Sequence, residues 1–591
     1  MSVDVKATNG DAVGAGRRPV VEAGVASAVT RRRGRGAAAA VVIVYLLATA
    51  LTGAFFMADT ADYVESVLRY ERGANYYFWE FGHLYWRPLG WLLLRAAGPL
   101  AQLFVGDDAR LKTTFLLVAF NWAAGLACVV LLYGLLGRVL RRAWLAAGVT
   151  CAFIGAQGFL NYAQAGAAYT PGLACLLAGL YLLARASDDE SNGGLLRSRR
   201  VQAALGGACL GAAVCFWVMY LWALPAALAT PLLLFAPDRR RARVCLWAAV
   251  GCAALVGASY AAVLAVLRID TVAELREWIR WSAHGNTTRG VMRMVFGFAR
   301  SFVNMGQDGM LFKRFLLEDP HNPVTLWALV RLSLWKFALF YLSLLAASLA
   351  LLGTPRGRRV LLWLAAGAPV LLFAVFFDGG AVERYLPLYP FVFVTLAVAL
   401  ADARAPRVLK LVVLLFVAVM AGGNAVAMSR WSLARQERRA EERVSELQPR
   451  LRPASRVYVV TWLDELVNFH RSFPFHPLNA RESLRVDSLV TPGTDQAARW
   501  RGDFAAQTLK AWAAGGDVWL STRAFAPAPR ADWNWVEGDD PSVRWADFPE
   551  FFRPFEFGET AGGADGFRRL LPSAHNEGLL RPLAASGQVA D

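Results

Sequence analysis

The chain has 591 residues, 56% of them hydrophobic and 18% charged, with a mean hydropathy of +0.37. Ordinary soluble domains are about 45–50% apolar and about 25% charged, so an all-soluble protein is excluded and a polytopic membrane protein is expected. The formal net charge of +17 does not point to nucleic acid. A footprint for DNA or RNA gathers on one soluble face, whereas these arginines fall in short clusters between apolar segments, as cytoplasmic loops do.

Residues 1–36 carry Arg17, Arg18, Arg31, Arg32, Arg33 and Arg35 in a Gly/Ala/Val-rich background and lack a small-residue cleavage site. They read as a disordered cytoplasmic tail rather than a removable signal peptide. Segment 37–57 is long enough to cross a hydrocarbon core of about 30 Å as a helix, and the arginines behind it point its C-terminal end outward. Further crossings follow at 112–137, 143–160, 167–184, two short ones between 201 and 236, then 244–267, 325–352, 359–377, 386–401 and 408–428. This gives eleven crossings, with the N-terminus in the cytoplasm and everything after about residue 430 outside. Arginine clusters at 138–142, 185–200, 239–243, 356–359 and 404–407 then all fall on the cytoplasmic side.

That parity requires the apolar run 88–105 not to cross. Arg95, two prolines and two glycines within it agree with an interfacial or re-entrant helix. A domain spanning 37–428 therefore carries two long outer loops, 58–111 and 268–324. The second loop opens with the amphipathic run AELREWIRWSAH and continues with VMRMVFGFARSFVNM, which has the character of another interfacial helix. From 430 to 591 the composition turns polar. RVYVVT followed by WLDELVNFHRS, and later TLKAWAAGGDVWLSTR, predict strand–helix and helix–strand units of a small extracytoplasmic α/β domain. Its tryptophans fit a core or a carbohydrate-facing surface, core being the commoner use. All seven cysteines lie in apolar segments with no C-x-x-C pair, so disulfide and thiolate-metal chemistry is not indicated.

Charge directly after a first span marks the candidate site. Asp59 and Asp62 stand three apart, neighbours on one face if helix continues. A carboxylate at the outer interface can act as general base on a hydroxyl, and an oxygen pair also suits a divalent cation such as Mg²⁺ or Mn²⁺. An ordinary helix cap would use the same residue type. His83, Tyr85, Trp86 and Arg87 follow in the GHLYWRPLG run, where a lone histidine among aromatics is also a common structural hydrogen bonder. In FFDGGAVERYLPLYP, Asp378, Glu383 and Arg384 share a short outer loop, and an arginine fork there suits a lipid phosphate. A snorkelling arginine paired with Glu383 is the plainer alternative.

The D-x-x-D-Y run after the first span, GHLYWRPLG after it and ERYLPLYP before a late span together resemble the GT-C superfamily of polytopic glycosyltransferases. Within it the likeness is to the protein O-mannosyltransferase and lipid A aminoarabinose transferase group. It covers 37–428 in layout. The resemblance implies an inverting transfer of a sugar from a polyprenyl-phosphate donor to an acceptor hydroxyl on a glycan, lipid or protein. The reaction would take place at the outer face of a bacterial inner membrane. By position it implies Asp59 as the catalytic carboxylate, with Asp62 in place of an acidic neighbour that is often adjacent in the family. It also implies Arg384 and Tyr385 near the donor phosphate, with Arg87 as a further cation. His83 and Tyr85 remain first-loop candidates, and Asp59 with Asp62 the candidate metal ligands.

Two rival classes share the membrane layout. A lipid or solute transporter places ionisable groups deep in its spans, where this chain offers chiefly Lys336 and Arg331. A polysaccharide polymerase or ligase shares the outer loops and arginines but does not require a carboxylate pair directly after the first span.

Overall fold

The computed structural model describes residues 18–54, 57, 59–73, 78–188, 198–235, 237–282, 290–305, 315, 325–430, 446–461, 485–490, 495–527, 543–562 and 566–587. The chain is a multi-span helical membrane protein with a small mixed sheet near its C-terminus. Among the described residues nine helices are long and apolar enough to cross a membrane, and two shorter apolar segments, Ala143–Ile154 and Val218–Leu233, accompany them.

In chain order the first helices are α1 (Arg18–Leu51), α2 (Thr60–Glu71), α3 (Trp86–Val105), α4 (Ala109–Leu140), α5 (Ala143–Ile154), α6 (Gln157–Tyr162), α7 (Tyr169–Ser187) and α8 (Arg199–Phe216). A 3₁₀ turn, Val218–Ala223, then leads to the short α9 (Leu224–Leu228) and α10 (Thr230–Leu233). After them come α11 (Arg239–Leu267), α12 (Val272–Ser282), α13 (Val291–Phe302), α14 (Leu326–Leu352), α15 (Pro355–Phe376), α16 (Tyr389–Ala401) and α17 (Arg407–Arg430). The starts follow local chemistry. Asp108 caps the Leu111 amide at 2.9 Å and Asp238 that of Arg241 at 2.7 Å, while Thr354 caps Gly357 at 3.0 Å with Pro355 in the first turn. Such side chains satisfy amides that have no partner inside the helix.

All but one of the nine apolar helices coincide with segments expected to cross. The exception is α3, where Pro88, Gly90, Gly98 and Pro99 do not break a continuous 20-residue helix. Pro88 lies in the first turn, where no amide partner is lost. Gly90 lets α3 approach α4 and α2, since a Cβ there would meet Leu117 and Val67. Trp86 packs on Phe120 and Phe104 on Phe115. Contacts about 27 Å apart along α3, at about 1.5 Å per residue, therefore meet α4 within only two turns, and α3 lies across the beginning of α4 rather than alongside it.

The region between 201 and 236, expected as two short crossings, holds two short apolar segments, the 18-residue Arg199–Phe216 and Val218–Leu233. Segment 143–160, expected as one crossing, breaks at Gly155 into α5 and α6, and the glycine allows α17 to approach, since a Cβ there would collide with Ala421. At the centre of the bundle runs Val382–Ala401, 83% buried in its most apolar window. Between 268 and 324 both amphipathic runs form helices, α12 and α13, while most of 306–324 lies outside the described residues.

The C-terminal sheet has the order β2-β1-β3-β5-β4, with β1 (Arg456–Thr461), β2 (Arg485–Val490), β3 (Val518–Ser521), β4 (Phe557–Ala561) and β5 (Phe567–Leu570). The pairings β1–β2 and β1–β3 are parallel, and β5 is antiparallel to β3 and β4. Helices α18 (Asp495–Ala513), α19 (Asp547–Phe552) and α20 (Ala574–Gly587) accompany it. RVYVVT and the TLKAWAAGGDVWLSTR unit take their expected forms, whereas WLDELVNFHRS lies outside the described residues. Trp500, Trp519 and Trp545 are buried, so these three fill a core, as aromatics commonly do.

Candidate functional site

Asp59 occupies the position just before α2, where an aspartate normally caps the helix, yet its side chain makes no capping bond. Instead Oδ2 accepts a hydrogen bond from the Tyr169 hydroxyl at 2.7 Å. Asp59 remains exposed and is thus open to a substrate. Asp62, in the first turn of α2, is also exposed, and its carbonyl accepts from Ser66 at 2.8 Å.

Tyr169 opens α7, directly after the turn from α6 that buried Asn121 of α4 organises. The Asn121 amide nitrogen reaches the carbonyls of Tyr162, Ala165 and Ala167, and Trp86 donates to Gly166 O at 3.2 Å. The Gly166 amide in turn donates to the Thr60 hydroxyl at 3.0 Å, and a Cβ at Gly166 would strike that threonine. The turn is thereby fastened to the residue after Asp59. Tyr220 holds the Tyr169 carbonyl at 2.7 Å.

The same turn supplies Tyr162, whose hydroxyl donates to Glu383 Oε2 at 2.7 Å. The two tyrosine rings meet edge to face at 5.0 Å. Two carboxylates, from elements more than 300 residues apart, are therefore held by neighbouring tyrosines, close enough to feel each other's charge. Beside Glu383, the Arg384 guanidinium lies over Trp217 at 5.5 Å and Phe377 at 4.7 Å, and Trp217 packs on Tyr169 at 4.5 Å. Arg384 Nε is buried and has no hydrogen-bond partner among the described residues. Glu383 is held by Tyr162, and the Arg384 charge also acts on it.

The remaining candidates go elsewhere. Tyr385 is fully buried and its hydroxyl is directed at the carbonyls of Gly379 (2.6 Å) and Met294 (3.0 Å), clamping α13 to the loop before Val382. Arg87 is 4% exposed and paired with equally buried Glu80, its guanidinium 4.8 Å from the Tyr63 ring. Tyr85 bonds Ser259 and takes the Cys215 carbonyl through its amide at 3.0 Å. Lys336 donates to the Asn304 carbonyl at 3.0 Å, an anchoring contact rather than a midplane relay.

His83 is buried, with Nδ1 3.2 Å from the Phe216 carbonyl and Nε2 3.3 Å from the Tyr63 hydroxyl. A carbonyl only accepts, so Nδ1 carries the proton and Nε2 accepts from Tyr63. Burial holds the His83 pKa below its usual value, which keeps the ring neutral. Burial, then the charges of Asp59 and Glu80, push the Tyr63 hydroxyl well above its own.

The sequence reading missed Tyr162, Tyr169 and Trp217. The signal for the tyrosines was NYAQAGAAYT, a polar turn between apolar helices at the level of Asp59. Among the described residues no three His, Cys, Asp or Glu side chains converge as a metal site. Asp59 Oδ2 accepts from Tyr169, as ligating carboxylates are themselves hydrogen-bonded.

Neither a family model nor a curated relative matches the sequence. Among solved structures, the chain is similar to ArnT from Cupriavidus metallidurans bound to undecaprenyl phosphate. The TM-score is 0.44 with 13% identity, over 82% of this chain and 92% of that one. It is also similar to the oligosaccharyltransferase AglB from Archaeoglobus fulgidus in complex with an inhibitory peptide and a dolichol-phosphate. There the TM-score is 0.40 with 11% identity, over 91% of this chain and 74% of that one. At such identities and scores nothing about substrate or mechanism passes to this chain.

Proposed function

We propose that the protein transfers a sugar from a polyprenyl-phosphate donor to an acceptor hydroxyl at the extracytoplasmic membrane surface, with inversion at the anomeric carbon. The observation that carries the proposal is the arrangement of Asp59 and Arg384 around one aromatic cluster: an exposed carboxylate released from capping and held by Tyr169, and a cation with no hydrogen-bond partner at Nε among the described residues. Asp59 takes the acceptor proton as the acceptor oxygen bonds to the anomeric carbon. The bond from that carbon to the phosphate oxygen breaks, its electron pair leaving with the polyprenyl phosphate. General-base assistance is worth roughly 10²–10⁴-fold, and Arg384 offsets charge where it grows on the leaving group. Glu383, held by Tyr162, orients the second tyrosine of the pair.

On this reading Asp59, Arg384 and the C-terminal domain share the outer compartment, with the N-terminus in the cytoplasm. A cysteine introduced near residue 500 is then labelled by an impermeant thiol reagent in intact cells, and absence of labelling overturns the orientation. The activity is tested with the purified chain and a panel of synthetic polyprenyl-phosphate hexoses and pentoses, following release of polyprenyl phosphate. Wild-type turnover is expected. Persistent transfer in a variant carrying both Asp59→Asn and Asp62→Asn would remove these carboxylates from the mechanism.

A further inference from the structure

We propose that Trp217 is a positioning residue that sets the separation between Asp59 and Arg384; the proposal rests on the reading of the first as base and of the second as phosphate ligand. The indole lies 4.5 Å from the ring of Tyr169, whose hydroxyl holds Asp59 at 2.7 Å. The Arg384 guanidinium stands over the same indole at 5.5 Å. One side chain thus touches both the holder of the carboxylate and the cation. Tyr162 and Glu383 join the same two regions by a hydrogen bond one residue before Arg384. The guanidinium, at the end of a long side chain with many rotamers, takes its orientation from the rings it lies on.

The indole stands at a break in the chain. α8 ends at Phe216, Trp217 is extended (φ −156°, ψ 118°), and a helical turn resumes at Val218. A helix end leaves carbonyls without an amide, and the GHLYWRPLG segment takes two of them. The Tyr85 amide donates to the Cys215 carbonyl at 3.0 Å and His83 Nδ1 to that of Phe216 at 3.2 Å. The Tyr220 amide then holds the Trp217 carbonyl at 3.0 Å. The His83 ring lies parallel to the indole, with 5° between planes and 6.4 Å between centroids, and Tyr220 meets it edge-on at 5.8 Å. Trp217, 2% exposed, is thus fixed in both backbone and ring, as a spacer must be. Buried His83 acquires a task here, securing the break that presents the indole.

Phe377 provides the contrast. It lies 4.7 Å from the guanidinium and packs on Phe373 of α15 at 5.4 Å, so it steadies the cation from a segment that does not carry Tyr169. Aromatic faces take the faces of a planar guanidinium and leave its edge N–H groups for two anionic oxygens. Either ring therefore helps to present the fork, but of the two it is Trp217 that also bears on the tyrosine holding the base. Transfer needs the acceptor oxygen, the anomeric carbon and the departing oxygen at set positions, and a misplacement of about 1 Å costs about 10²-fold.

The test uses the purified full-length protein and two readouts: affinity for polyprenyl phosphate, and the single-turnover rate constant for its release from whichever synthetic polyprenyl-phosphate hexose or pentose the wild type turns over, at saturating donor. Trp217→Leu and Phe377→Leu each remove one ring from Arg384 and should both weaken polyprenyl-phosphate affinity by about 2–5-fold. Trp217→Leu should in addition lower the rate constant by about 10–100-fold, while Phe377→Leu leaves it at the wild-type value. Trp217→Phe, a smaller ring, should show the same split with a smaller loss, and it carries the test if the leucine variant does not fold. In an Asp59→Asn background Trp217→Leu should slow release little further, because the group it positions is gone. A wild-type rate constant in Trp217→Phe, a fall in burst amplitude alone, equal rate constants in Trp217→Leu and Phe377→Leu, or a full multiplicative loss in the Asp59→Asn background overturns the spacer. The function reading fails separately: Asp59→Asn protein working at the wild-type rate removes the base whatever Trp217 does, whereas slow Asp59→Asn protein beside unimpaired Trp217 variants keeps the base and removes the spacer.

Discussion

The Tyr169 hydroxyl and Asp59 Oδ2 stand 2.7 Å apart, joining residues 110 positions apart in sequence. This contact takes the aspartate away from the helix end it would otherwise cap and fixes its rotamer toward the aromatic cluster. Asp59→Asn is therefore expected to lower turnover by roughly 10²–10⁴-fold with membrane insertion intact. Tyr169→Phe, losing a bond to a charged group, should cost about 10–100-fold, the equivalent of about 1.5–3 kcal/mol. Asp62→Asn should cost far less, since Asp62 is exposed in the first turn of α2, where its charge favours the positive helix end. Single-turnover rates with the three variants check the order. Equal losses at positions 59 and 62 would make the pair one functional unit instead.

Arg384 and Tyr385 are adjacent but point to different tasks. Replacing Arg384 by alanine should raise the donor KM about 10–100-fold, with partial recovery in Arg384→Lys, which keeps the charge and loses the planar fork. Tyr385→Phe should leave that KM unchanged and lower thermal stability by about 1 kcal/mol, because it removes only the donor to the Met294 and Gly379 carbonyls. Donor titrations alongside melting curves separate the two. A raised KM in Tyr385→Phe would return the tyrosine to the phosphate site.

Much of this was legible from residue order, and the divergences have definite causes. Spans were readable because length and apolarity are local properties; in α3, expected as a helix that does not cross, Gly90 serves packing and Pro88 a first turn. Asp59 and Arg384 stand out in sequence because charge beside an apolar segment is conspicuous. Tyr162 and Tyr169 do not, since their role depends on Asn121 folding the turn between α6 and α7, a contact across more than 40 residues that has no periodic signature. Arg87 was assigned to phosphate because sequence shows a charge but not its partner, and Glu80 only seven residues earlier occupies it.

Acid sensitivity should follow from His83. Its folded pKa is depressed by burial below the ordinary 6.5, so at neutral pH neither folded nor unfolded chain carries the proton. As pH falls below about 6.5 the unfolded state binds it and the folded state does not, and stability is lost until the folded pKa is passed. The detergent-solubilised wild-type chain should thus melt progressively lower between neutral pH and the acid side of that window. His83→Gln should flatten the decline, having nothing to titrate while keeping an acceptor for Tyr63. Parallel slopes in wild type and variant would assign the acid loss to other groups.

Glu80 and Arg87 give the sharpest contrast between structural and chemical charge. Both are nearly inaccessible, at 3% and 4% exposed, and they close the segment carrying His83 onto the start of α3, with the guanidinium against Tyr63. Removing one partner strands the other charge out of water, which costs about 3–5 kcal/mol, whereas replacing both with apolar residues of similar volume is often nearly neutral. Arg87→Ala should therefore reduce folded yield and melting temperature severely. Combining Glu80→Leu with Arg87→Met should recover most of both, and with them sugar transfer at an ordinary donor KM. Were Arg87 a phosphate ligand, the double variant would instead fold and bind donor poorly. Melting curves and donor KM on the same preparations decide between these outcomes.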